Sequence, residues 1–544
     1  MGRGQKIGDA LKRAIGVEGS FKEAILPMLG YNCINIFSGG SGYVIGLYFL
    51  AFLTDVENLS TSQAGLVIML ATLWDAVTDP AMGIITDRTR SRLGRHRRYI
   101  LWGIPIMAVS YVMMWNSFGI SAHGNATLTM LYYVLAYMLY KTAYTIMIVP
   151  HTAMLPELAP EYSLRTQYNS VGYLMNSSGM VPSFLLVACV FGFVQMDSFD
   201  STSRTKFLLV GIVLAVFYSL AAIVTFFSVR ERSSLDMVNP PFDSRYVFSE
   251  YYQVFRNRAF RQYFTISLFY MMATGFYSNS KYFFIKYVAQ KNSMYNLLTT
   301  VAGVAEASAF PFNYAITMKF GKKKCGTITT PLMIAGLAIG LFVRSSDSAV
   351  LNVIWTVLLF ASMVLYPIGF SGIGFVTNNI FPDITDVDEM ITGRRREGVI
   401  ATFSTLIKKS ISGVMAAFVG MILQLFGLVT GDAVKQYEAL HSTVYAQTAM
   451  AHAGVRVCVA VIPIACVIIS MLSLRGFSMS KDDHAMIRAA IAERKEKGYV
   501  TLTDAQKKTC ERIAGQKWES MWIGQPSVAA NQEENHTAAV SSER

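Results

Sequence analysis

The chain has 544 residues, 53% of them hydrophobic and only 15% charged, which excludes an ordinary soluble protein of this length. Its formal net charge of +12 does not mark a nucleic-acid binder. No basic domain with interleaved aromatics is present, and Lys and Arg gather in the cytoplasmic loops of membrane proteins for topological reasons.

The first stretch, 1–23, carries Arg3, Lys6, Lys12, Arg13 and Lys22 but lacks the apolar core and small-residue cleavage site of a secretory signal, and it reads as a cytoplasmic segment. After it come apolar runs of the length a membrane span requires, about 20 residues. They fall at 27–53, 62–85, 99–119, 127–149, 168–195, 207–229, 262–287, 296–318, 326–345, 350–378, 399–427 and 454–474. The connections alternate in charge. Arg88 to Arg98, Arg230 to Arg261, Lys322-Lys323-Lys324, Arg394-Arg395-Arg396 and the tail fall on one side, opposite loops such as Gly119–Thr127 that hold no Lys or Arg. The positive-inside rule then predicts a multi-pass cell-membrane protein in contact with lipid, in the inner membrane if bacterial, with both termini cytoplasmic.

A central loop, 230–261, divides the chain into units 24–229 and 262–474, and the basic turns after the second and eighth spans are a weak internal echo of two related halves. Gly39-Gly40-Ser41-Gly42, Pro150, Pro311 and the run Pro367 to Gly374 mark close packing or irregular backbone, with Pro150 expected to end the fourth span and Pro311 to interrupt the eighth. The tail, 475–544, is expected to form helices over Asp482–Lys497 and Thr503–Ala514, with composition typical of disorder from Gln525 onward.

Asp75 and Asp79 lie four residues apart in the second span, so their carboxylates share one helix face. A charge buried in hydrocarbon costs several kcal/mol unless it is partnered. Either a shared Na+ or proton, or a salt bridge to a lysine of another helix, would neutralise them. The intramembrane bases are Lys141, Lys281, Lys286, Lys408 and Lys409. Lys409 is the expected partner of the aspartates, Lys141 and Lys281 are candidates to meet an anionic substrate, and Lys286, near a helix end, is expected to snorkel to the interface. Glu306 is a further acid that serves either to neutralise a lysine or to bind substrate. Tyr43 and Tyr144 belong to an aromatic set whose faces suit sugar rings as well as helix packing. His96 and His151 read as surface or interface residues. The six cysteines show no CxxC spacing and indicate neither a disulfide framework nor a metal site. With no hydrolase or kinase motif, no enzyme activity and no cofactor are expected.

The run Trp74-Asp75-Ala76-Val77-Thr78-Asp79-Pro80 joins Thr54-Asp55-Val56, Asp87 to Arg95, Leu155-Pro156-Glu157-Leu158, Pro382-Asp383-Ile384-Thr385-Asp386 and Lys409 in a pattern that resembles the glycoside-pentoside-hexuronide:cation symporters. The resemblance implies an all-α membrane protein of the major facilitator fold, with twelve transmembrane helices in two six-helix bundles and cation-coupled glycoside uptake. It makes Asp75 and Asp79 cation ligands (metal ligands if the ion is Na+), Thr145 a further ligand, and Lys409 the eleventh-helix lysine. Counting along the motif, sugar-binding acids of melibiose permease in the first and fourth helices fall at Gly39 and Ile148, its stacking tryptophan at Thr152, and its fifth-helix arginine at about Tyr173. With two acids lost, and with Lys141, Lys281, Tyr144 and Tyr43 near the expected cavity, the pattern leans to a carboxylated sugar such as a hexuronide or oligogalacturonide. A lysolipid carrier of the same fold and a non-transporting membrane receptor are the alternatives.

Overall fold

The computed structural model describes residues 26–158, 162–192, 203–229, 231, 254–346, 348–394, 397–430, 434, 437, 440, 446–477 and 479–525. The N-terminal segment 1–23, most of the central loop and everything after Gln525 lie outside the described residues.

Helices dominate. The first, α1, is assembled from Leu26–Asn32, Ile34–Val44 and two π-helical turns, Ile45–Phe49 and Phe52–Val56. It is followed by α2 (Thr61–Asp87), α3 (Arg97–Met114), α4 (Ala126–Leu158), α5 (Tyr162–Phe191) and α6 (Arg204–Ser228). The second set is α7 (Arg258–Phe283, with a π turn at Phe284–Val288), α8 (Tyr295–Phe320), α9 (Lys322–Phe342), α10 (Ala349–Thr392), α11 (Glu397–Leu425) and α12, which runs from Ala449–Arg456 through the π turn Val457–Val461 to Ile462–Arg475. Two short helices, α13 (Lys481–Lys497) and α14 (Asp504–Ala514), close the described chain.

The packing repeats. In the first set α1 lies on α5 and α6, α2 on α4, and α3 on α4 and α6; in the second α7 lies on α11 and α12, α8 on α10, and α9 on α10 and α12. The faint echo in the sequence is thus a repeat of helix pairings. The two sets meet chiefly where α2 packs along α11. Small residues permit that approach: a side chain at Gly65 would press on the Ala416 backbone, and one at Gly420 would overlap the Thr61 carbonyl.

Surface polarity is inverted relative to a water-soluble protein. On α6, Val210, Leu214, Tyr218, Ala222 and Thr225 are buried, while Leu209, Val213, Val216, Leu220, Val224 and Phe227 form an exposed stripe at helical spacing. Lipid tails suit such a face, whereas water would not. Among the described residues, six helices are long and apolar enough to cross a membrane on length and composition alone. The fourth and seventh, absent from that group, carry the tyrosines and lysines that furnish the polar interior.

Two expected breaks do not occur. α4 continues through Pro150 to Leu158, and α8 continues through Pro311 to Phe320. α10 also outruns its expected end at 378 by more than three turns, giving 44 residues, or about 65 Å. Its extension is held together by burial of Ile384, Val387 and Met390 and by pairing of its acids, Asp383 with Lys322 at 2.6 Å and Asp386 with His484 at 2.9 Å. Glu389 pairs with Lys495.

His484 and Lys495 belong to the tail. α13 and α14 form where expected, each opened by a capping box, Ser480 with Asp483 and Thr503 with Gln506, and each closed by a left-handed glycine, Gly498 and Gly515. Ile487, Ile491, Cys510, Ile513, Met521 and Ile523 pack in one cluster with Phe260, Ile384, Val387 and Met390, so the tail completes the core at that end of the second set.

Candidate functional site

α2 carries Asp75 and Asp79 to the middle of the molecule, one turn apart on the face that meets α4 and α11. α4 brings Lys141 and Thr145, also one turn apart, and α11 brings Lys409. Asp75 is wholly buried, whereas the Asp79 side chain is 21% exposed. The Lys409 ammonium lies 2.5 Å from Asp79 Oδ2 and 3.0 Å from Asp75 Oδ2. That of Lys141 lies 3.3 Å from Asp75 Oδ2. The Thr145 hydroxyl is 2.7 Å from Asp79 Oδ1 and 3.1 Å from Asp75 Oδ1, so its single proton serves Asp79 first. Two carboxylates and two ammonium groups balance, which is how a low-dielectric interior tolerates them.

Salt bridging to lysines, one of the alternatives for the aspartates, is therefore present in this conformation. Lys409 is a partner, as expected. Lys141, expected to face substrate, instead meets Asp75, because it lies one turn before Thr145 on the same face of α4. Tyr144 hydrogen-bonds Ser38 at 2.6 Å, and its ring lies 5.7 Å from the Lys409 ammonium.

Tyr43 and Lys281 lie elsewhere. They line a cavity of 310 Å³ between α1, α7, α8 and α10, with Tyr277, Glu306, Tyr366 and Phe370 among its walls. Tyr277 and Tyr366 stack with centroids 3.8 Å apart. Gly42, Gly46 and Gly303 keep the space open. Among the described residues, neither Lys281 nor Glu306 has a hydrogen-bond or ion-pair partner. Gly39, the position of the missing first-helix acid, is packing: a side chain there would overlap the Asn176 carbonyl of α5.

A third polar group closes one end of the molecule. Asp55, buried at the end of α1, accepts from Lys286 at 2.5 Å and from Tyr282 at 2.6 Å, both on α7. Lys286 therefore does not snorkel; it crosses between the two sets of helices. Beside it Tyr48 donates to Asn296 at 2.8 Å, and Tyr295 donates to the Leu47 carbonyl at 3.2 Å. The contacts between the sets described here run from the Asp79–Lys409 pair toward this end, away from the arginine-rich turns. In the sequence Asp55 stands only as part of a motif, just past the expected end of the first span at 53. Tyr282 and Lys286, one turn apart, form a polar face that would have pointed to a buried acid.

Both isolated histidines are buried rather than superficial. His151 is within 2.9 Å of the Tyr31 carbonyl and stacks on the Tyr31 ring. His96 sits against Glu231, which also accepts from the backbone N–H groups of His96 and Arg97 at 2.9 and 2.8 Å. Burial alone would raise the Glu231 carboxyl, but its bonds from His96 and Arg97 outweigh that and hold it below the usual carboxylate range. Gly94, at φ +94°, turns the chain here, and any side chain on it would strike Glu231.

With this geometry in hand, the relatives fit. A family model described as "MFS/sugar transport protein" matches residues 30–481. The chain is 24% identical over 469 residues to the isoprimeverose transporter of Lactiplantibacillus pentosus, covering 85% of this chain and 90% of that one. It is 22% identical over 497 residues to the sodium-dependent lysophosphatidylcholine symporter 1-B of Danio rerio, covering 86% and 89%. The crystal structure of the nucleoside transporter NupG superposes with a TM-score of 0.55 at 10% identity, covering 84% of this chain and 98% of that chain, and so shares the fold. The chain belongs to the MFS/sugar transport protein family: it is an all-helical multi-pass membrane transporter of the major facilitator fold, not an enzyme.

Proposed function

We propose that this member of the sugar transport family is a sodium-coupled symporter that imports a glycoside bearing a carboxylate. The observation that carries the coupling is the cluster at Asp75 and Asp79, where an ammonium from one half of the molecule sits on two carboxylates of the other. Asp79 and Thr145 offer oxygens, the donor type a hard monovalent cation prefers, with Asp75 adding its charge beside them, and the Thr145 hydroxyl favours Na+ over a proton, which needs no third ligand. Lys409 and Na+ compete for the same oxygens. When Na+ enters, Lys409 is released and the tie between the halves loosens; when Na+ leaves, Lys409 restores neutrality and the empty carrier can return. Each state is favoured only by what binds it better, so the ion gradient drives accumulation.

The arginine-rich end is taken as cytoplasmic by the positive-inside rule. The Asp55–Lys286 end then faces outward, and this conformation is closed to the outside. For the cargo, Lys281 offers a carboxylate partner, Glu306 accepts from hydroxyls, and the aromatic walls suit a pyranose face. The volume lies near the lower bound of ligand pockets, about 300 Å³, which suits a small glycoside better than a long acyl chain. The lysolipid reading is kept because of the zebrafish relative.

The test is uptake into vesicles containing the purified protein. Labelled methyl glucuronide, methyl galactoside and lysophosphatidylcholine are compared with and without an inward Na+ gradient. Na+-driven accumulation of the glucuronide is expected, and its loss in Asp79→Asn. Uptake of only the neutral sugar or only the lysolipid would overturn the cargo assignment. Equal accumulation by wild type and Asp79→Asn would overturn the ion assignment.

A further inference from the structure

We infer that Lys141 is a resident counter-ion: it permanently neutralises Asp75, so that the cluster exchanges a single monovalent cation, held by Asp79 and Thr145. This rests on the sodium-coupled reading above and adds the occupancy of the site and the residue that sets it.

Charge counting gives the first argument. With Lys409 in place, the two carboxylates and two ammonium groups sum to zero. If Lys409 withdraws and Lys141 stays, the residual charge is one negative unit, which one Na+ cancels. A second Na+, or one divalent ion, would leave a net positive charge in a buried site.

Geometry gives the second. Lys141 and Asp75 lie on helices of the same half, α4 and α2, which pack along each other and are pinned by the Trp74 indole N–H donating to Thr142 at 2.9 Å. Their 3.3 Å pair therefore survives any separation of the halves. Lys409 comes from α11, across the interface, and does not share that guarantee. The ammonium of Lys141 is also held 5.6 Å from the Tyr137 ring centroid, a further attraction that keeps it in place.

The two aspartates differ accordingly. Asp75 has no accessible side-chain area and accepts from Lys141 on the oxygen that Lys409 also approaches. Asp79 retains 21% of its side-chain area, and its ammonium partner is Lys409. An arriving ion reaches Asp79 by displacing one mobile group, whereas at Asp75 it would also have to expel Lys141 from its own half.

The experiment needs no knowledge of the cargo. Radiolabelled sodium is titrated onto the purified full chain at mildly alkaline pH. Wild type is expected to bind one Na+ per chain without cooperativity. Lys141→Met, which adds one uncompensated negative charge, should bind a second Na+ or bind the first at least about tenfold more tightly. Lys141→Arg should keep single occupancy. Asp75→Asn alone should weaken Na+ by at least about tenfold, because Lys141 then cancels Asp79. The paired change Asp75→Asn with Lys141→Met restores one negative charge and should recover single-site binding, a rescue that a merely structural lysine would not produce. Two Na+ in wild type, an unchanged isotherm in Lys141→Met, or no recovery in the paired variant would each overturn the inference while leaving sodium coupling standing. No Na+ bound by wild type would overturn both.

Discussion

The aspartate cluster and the aromatic cavity hold charge in opposite ways. At Asp75 and Asp79 each carboxylate has an ammonium partner within 3.3 Å, and the sum is zero. In the cavity, Lys281 on α7 and Glu306 on α8 line the same hollow within electrostatic reach of each other, but without a direct hydrogen bond or ion pair among the described residues. A charge inside a membrane protein costs several kcal/mol unless paired or wetted. The cluster meets that demand by itself, and the cavity leaves it to water or cargo. A fully paired site can lose a partner and accept an ion in its place, whereas a site with unpaired groups gains most by taking up a ligand that pairs them.

Substitutions can break this contrast in graded steps. The largest effect is expected at Lys281→Gln, which removes a hydrogen bond to a charged group worth about 1.5–3 kcal/mol. The KM for methyl glucuronide should rise roughly 10- to 100-fold, while the Na+ concentration for half-activation stays unchanged. A shift in Na+ activation would mean that the two regions are not separate.

Asp55→Asn tests the closed end, where Lys286 would lose a carboxylate partner. Weakening a pair whose lysine is 18% exposed should shift the balance between closed and open forms by about tenfold. With a cysteine placed in the cavity wall by Ser278→Cys, this reads out as faster labelling from outside by an impermeant maleimide. No change in rate would show that the Asp55 pair does not hold that end.

Glu231→Gln lies outside both regions and separates local charge effects from general stability. Loss of bonds to a charged acceptor should lower stability by about 1–3 kcal/mol at neutral pH. The sign with pH is fixed by the direction of the shift. A carboxyl held below its unfolded value of 4.5 contributes fully above that value, and its contribution falls away as pH drops through the depressed folded value. Thermal melts of wild type and Glu231→Gln should therefore converge on acidification. The smallest effect concerns Cys510, buried in the tail, with its thiol pushed by burial up to about 11. It should resist maleimide until Lys495→Ala loosens α13, with transport little altered.

The apolar runs made the helices legible, because about 20 residues of low polarity have few other uses. Asp75, Asp79 and Lys409 were legible for a related reason, as charges too costly to stand alone. Pairings set by three-dimensional approach were not. Lys286 and Asp55 are 231 positions apart, and helix-end position alone led to the snorkelling assignment. Lys141 looked like a substrate lysine because periodicity places it on a polar face without saying which helix that face meets. The histidines failed for the same reason: the burial of His96 against Glu231 depends on a turn whose partner lies past α6. In the tail, α13 and α14 were legible from helical character alone, but their docking depends on the unforeseen extension of α10.

That docking has a consequence for biosynthesis. The last residues of the cluster, Met521 and Ile523, reach the ribosome exit after every membrane helix has been made, yet they bury against the same core as Phe260 and Ile384. The core at that end of the second half therefore cannot be completed before Ile523 has emerged. A chain truncated anywhere between Ser480 and Ile523 would leave an unfinished apolar face at that end of the second set.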